Sequence, residues 1–148
     1  MASIQRRRGR LQLRLDERER DALLDIVDTL ASRDGAVASA PRAYEDDSDQ
    51  AEYDRWVRPD IESGHEADIE LIREGLGSGD DLLVLTEANA YAWLRGFNVL
   101  RRTAGATLGI EHDGWEVDAD DTTKARPEYG MLIALGWLQE EMVAALET

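Results

Sequence analysis

Cysteine is absent from the 148 residues, which excludes disulfides, thiolate metal sites and a thiol nucleophile together. Lysine is nearly absent too: among 17 basic residues Lys124 is the single lysine and the rest are arginine. No apolar run approaches the ~20 residues that a membrane-spanning helix needs, so no membrane association is expected. The opening MASIQRRRGR is basic but leads into no apolar segment of the kind a secretory signal requires, so a cytoplasmic location is expected. Proline occurs three times and histidine twice, leaving few helix breaks and few imidazole ligands.

What is abundant is negative charge. The net charge of −15 argues against non-specific nucleic-acid binding by the surface as a whole. The distribution is uneven: residues 1–20 hold seven Arg against three acids, whereas Glu45 to Asp81 hold fourteen acids and three Arg. A single domain over residues 1–148 is expected, with residues 1–9 as a disordered basic arm.

The stretch that organises the rest is Thr86 to Ile110, a long, largely apolar helix with a polar cap and a Gly-bearing exit. Trp93, Leu94, Phe97, Leu100, Ala104 and Leu108 recur on it at helical spacing, and Ala90, Tyr91 and Val99 widen the arc past one face. Gly96 and Gly105 each weaken a helix by roughly 1 kcal/mol relative to Ala, which points to close-packed neighbours. Before it, Arg10 to Leu15 alternates with Leu11, Leu13 and Leu15 inward, and Asp16 with Glu19 forms a capping-box pattern. That helix carries Leu23, Ile26, Val27 and Leu30 as one stripe.

An acidic run over residues 44–49 ends in a helix cap at Asp47 or Ser48. The next helix puts Tyr53, Trp56 and Val57 on one face and kinks or breaks at Pro59, which falls in the first turn of a further helix reaching about Gly75. Leu83 to Leu85 followed by Thr86 repeats the strand-then-cap pattern of Leu13 to Asp16, so the two strands pair as a short ribbon. Tyr129 to Leu146 is the closing helix, with Leu132, Ile133, Trp137, Leu138, Met142 and Leu146 as its core stripe. The expected fold class is α+β and predominantly α-helical: four to five helices around a long central helix, with a two-stranded β-ribbon.

Motifs that would carry chemistry are missing. His65 has no second His at the spacing of a zinc-protease helix, and His112 stands at the start of a polar loop. Asp118 to Asp121 matches a calcium loop briefly, then lacks its glycine and ends on Tyr129 instead of Glu. Gly75, Gly77 and Gly79 are followed by no Lys-Ser/Thr, so they are no phosphate loop. No catalytic residue, cofactor or metal site is expected. One cluster stands out: Asn98 and Arg101 lie among apolar residues, where Arg101 needs a carboxylate, and the segment with Tyr44, Asp46 and Asp47 is the nearest supply.

Three patches resemble a known family. They are Ala43-Tyr44 with Asp46-Asp47 and Glu52-Tyr53; Leu85 with Ala92-Trp93-Leu94, Asn98, Leu100-Arg101 and Leu108-Gly109-Ile110; and Leu138-Gln139-Glu140 with Val143. Together they resemble the actinobacterial domain-of-unknown-function family commonly encoded beside the Clp protease adaptor ClpS. The resemblance implies a cytoplasmic helical protein, and its gene neighbourhood implies the Clp adaptor or protease machinery as partner. Val99 departs from the acidic residue usual in that block.

The expected function is a non-enzymatic protein-interaction or regulatory module, homodimeric and linked to Clp-dependent proteolysis. Two alternatives stand beside it. One is a DNA-associated regulator using Arg6 to Arg10, although the acidic balance disfavours nucleic acid. The other is a small-ligand or enzymatic site where residues 45–54 meet Asn98 and Arg101.

Overall fold

The computed structural model describes residues 2–32, 45–109 and 121–148. Strands β1 (Ser3–Arg7), β2 (Arg10–Arg14) and β3 (Leu82–Leu85) form one antiparallel sheet in that order. Helices α1 (Glu17–Ala31), α2 (Asp47–Trp56), α3 (Arg58–Leu76), α4 (Glu87–Leu108), α5 (Asp121–Lys124) and α6 (Pro127–Leu146) complete the described residues. The molecule is mostly helical, with six helices among the described residues against the four to five expected.

The two expected strands do pair, Leu11 opposite Leu85 and Leu13 opposite Leu83. The ribbon is nevertheless three-stranded, because Ser3–Arg7 forms β1 and pairs with β2. This strand falls where a disordered basic arm over residues 1–9 was expected. Arg8 and Gly9 both take positive φ, 53° and 76°, as a two-residue hairpin turn with the twist of its strands requires. β1 offers only Ile4 as an inward apolar residue, opposite Leu13, so alternation could not reveal it. Arg6 fastens it further: its Nη1 donates to the Leu146 carbonyl at 3.0 Å, at the end of α6, where free carbonyls favour a cation.

Helix starts follow local chemistry. Asp16 caps α1 by accepting from the Glu19 backbone N–H at 2.8 Å, and the Glu19 carboxylate accepts from the Asp16 N–H at 3.2 Å. That bond from Glu19 holds the Asp16 carboxyl below its ordinary range. Thr86 caps α4 through Asn89, and the helix closes on Gly109 in the left-handed region. At α2 the cap is Asp46, one or two residues before the expected Asp47 or Ser48, accepting from Ser48 and Asp49. Val57 separates α2 from α3, and Pro59 sits in the first turn of α3 where its missing N–H costs nothing.

α4 packs against α1, α3 and α6 and against β2 and β3. Trp93 and Phe97 are fully buried and meet edge-to-face, with centroids 5.8 Å apart and planes at 82°. Two glycines admit this packing. A Cβ on Gly75 would stand 2.6 Å from Trp93 Cζ2, and one on Gly96 would stand 2.6 Å from Ile72 Cδ1. The close neighbour expected for Gly96 is therefore α3. Buried Arg20 ties the corner between β2 and α1 to the turn before β3, donating to the Leu15 carbonyl at 2.9 Å and pairing with Asp81. That pairing raises its pKa.

Substituting Gly75→Ala is expected to destabilise the protein by ~1–3 kcal/mol through overpacking against the Trp93 ring. Gly64→Ala, on an exposed stretch of α3 with open space beyond the Cβ, is expected to stabilise by ~0.5–1 kcal/mol. Urea unfolding monitored by circular dichroism separates the two; equal effects would contradict the packing described.

Candidate functional site

The structure distributes the expected cluster over two places. Tyr44 lies outside the described residues. Asp46 and Asp47 stand exposed at the start of α2, where Asp46 spends its carboxylate on the helix cap. α2 rests on α3, and its Asp49, Glu52 and Tyr53 line a shallow hollow with Trp56 and Val57. Trp56 and Val57 are 65% and 44% exposed, so the apolar face expected of α2 is not in the core.

Asn98 and Arg101 instead line a groove between α4 and α6, together with Leu94, Gly136, Gln139 and Val143. Its volume is about 580 Å³. Arg101 Nη1 donates to Gln139 Oε1 at 2.7 Å, and Gln139 Nε2 donates to the Leu94 carbonyl at 3.1 Å. Gly136 faces the guanidinium: a Cβ there would lie 3.6 Å from Nη2, in ordinary van der Waals contact, so an alanine would also fit. Arg101 thus locks α4 to α6 through a carboxamide, not through the acidic segment expected to neutralise it, and its buried Nε has no hydrogen-bond partner among the described residues. The sequence signal for this lock was Gln139 in the closing Leu138-Gln139-Glu140 block.

Beside it, Arg95 on α4 holds Asp68 on α3 through two bonds of 3.0 and 3.1 Å, and that carboxylate raises the guanidinium pKa. No group of three or more His, Asp and Glu able to hold a metal occurs among the described residues. His112 lies outside them, as does most of the Asp118–Asp121 run, of which only Asp121 is described, opening α5.

The feature missed from sequence is the outer face of α6. Ile133 and Trp137, expected in the core stripe, are 43% and 45% exposed, and Val143 is 42% exposed. The buried side is instead Leu132, Leu135, Leu138, Met142 and Ala145. Because α6 is apolar around nearly its whole circumference, periodicity could not say which side faces inward. Its exposed residues are Pro127, Gly130, Ile133, Trp137, Glu140, Glu141, Val143 and Ala144, so no charge reaches solvent before Glu140. In a chain that is 33% charged, a solvent-facing helix surface of this kind is out of keeping with its surroundings.

The chain matches the family described as a domain of unknown function, DUF2017, over residues 1–146, and it belongs to that family. No curated protein and no solved structure matches it.

Arg101→Ala is expected to cost ~1–2 kcal/mol, since it leaves the Gln139 carbonyl oxygen without its donor between two packed helices. Arg101→Ala combined with Gln139→Leu is expected to recover part of that loss. Thermal unfolding of the single and double variants tests the lock, and strictly additive losses would count against it.

Proposed function

From a family grouped by sequence and not by activity, we propose that this chain works as a protein-interaction module without catalysis of its own. The docking surface is the outer face of α6. The observation that carries this reading is the uncharged exposed run of Gly130, Ile133 and Trp137, continued by Val143 and Ala144 beyond Glu140 and Glu141. Surfaces of this composition mark association sites, and a tryptophan at the centre is the residue type that most often anchors one. The groove containing Arg101 flanks this face and stiffens it by joining α6 to α4.

The finer reading places this binding in regulated, Clp-dependent proteolysis within the cytoplasm of an actinobacterium. Its support is the gene neighbourhood implied by the family resemblance. The DNA-binding alternative draws less support, because Arg6 of its basic cluster lies on β1, bonded to the end of α6 and 3.5 Å from the Glu87 carboxylate.

Trp137→Glu tests the surface. Its expected effect is a loss of ~2 kcal/mol or more, about 30-fold, in association of the chain with itself or with the purified Clp adaptor, with helicity unchanged. Sedimentation velocity on the parent and the variant, each alone and with the adaptor, gives both readouts. Indistinguishable behaviour of the two proteins in every mixture would refute the surface.

A further inference from the structure

We propose that the occupant of this face is a second copy of the chain, packed with the two α6 helices antiparallel; this rests on the interaction reading above. The face is self-complementary along its length. Gly130, Ile133, Trp137, Glu140, Ala144 and Glu147 follow one another at alternating steps of three and four, the narrow seam by which two helices pack side by side. When the copies run antiparallel about a centre near Leu135, each Trp137 lies on the other copy's Ile133. Gly130 then faces Glu140, giving the longer side chain room where the opposing helix has none.

Charge selects this orientation. Lys124 ends α5 and Arg126 precedes α6, 3.9 Å from the buried Glu128 of its first turn, while the exposed Glu140, Glu141 and Glu147 stand towards its end. Exposed charge is therefore mainly basic ahead of the helix and acidic towards its end. An antiparallel second copy brings these opposite charges together, with Glu147 of one chain approaching Lys124 and Arg126 of the other. A parallel pair would instead stack glutamates on glutamates. Although each chain carries −15, the middle of the seam holds Ile133 and Trp137 and no exposed charge before Glu140, so close approach there meets no direct repulsion.

The absence of cysteine makes the register directly measurable, because a single introduced thiol is the only one present. Ala134 lies one residue from the centre, so its two copies come within reach of a short bis-maleimide linker. Ala144 lies nine residues from the centre, which separates its two copies by about 27 Å along the axis. The expected result is a dimer in sedimentation velocity at tens of micromolar, efficient cross-linking of the Ala134→Cys variant, and little of the Ala144→Cys variant. Trp137→Glu introduced into Ala134→Cys should abolish the cross-link while circular dichroism stays unchanged.

A monomer at that concentration without cross-linking would overturn the proposal, and so would a dimer in which Ala144→Cys links as well as Ala134→Cys. If the chain is monomeric yet Trp137→Glu disrupts its complex with the Clp adaptor, the second copy is the wrong occupant and the interaction reading stands. If neither association responds to Trp137→Glu, both fail.

Discussion

The seating of Trp93 is the contact on which the rest of the structure depends. The indole is wholly buried against Gly75, with Phe97 meeting it edge-on. A helix must come very close to another to use a ring of this size as a wedge, and only glycine at position 75 leaves the space. Gly96 one turn along α4 allows the same approach beside Ile72. With α3 held on one side in this way, α4 presents Leu94, Asn98 and Arg101 towards α6. The position of α6, and hence the face it leaves outside, follows from that arrangement.

Arginine performs most of the stitching between elements. Arg6 joins β1 to the end of α6, Arg20 joins the β2–α1 corner to Asp81, and Arg73 joins α3 to Asp28 on α1 at 2.8 Å. Arg95 joins α4 to α3, and Arg101 joins α4 to α6. In a chain with a single lysine and no disulfide, the planar guanidinium supplies several directed bonds from one residue. Most of these contacts are partly exposed, so their value lies in fixing the relative placement of elements more than in bulk stability.

Much of this arrangement was legible in the residues. The capping box at Asp16 and Glu19, the Thr86 cap, the Gly109 exit and the pairing of β2 with β3 all follow from local rules and appear as such. Three things were not legible, each for a physical reason. β1 has almost no alternation and is held by an arginine reaching 140 residues along the chain. Arg101 finds its partner on the last helix instead of in the acidic segment, because nearness in sequence composition says nothing about which helices face each other. Trp137 and Ile133 read as core because a helix apolar on every side gives no period from which to tell inside from outside.

That last misreading is also the main functional clue, since large apolar residues that the chain's own core leaves outside call for another surface. The most direct measurement is oxidative footprinting of the tryptophans, in dilute purified protein and in intact cells of the native host. If the outer face of α6 is a docking surface, Trp137 reacts when dilute and is protected in cells, while buried Trp93 is protected in both and Trp56, 65% exposed, reacts in both. Trp137 reacting in cells as readily as it does in dilute solution would contradict it.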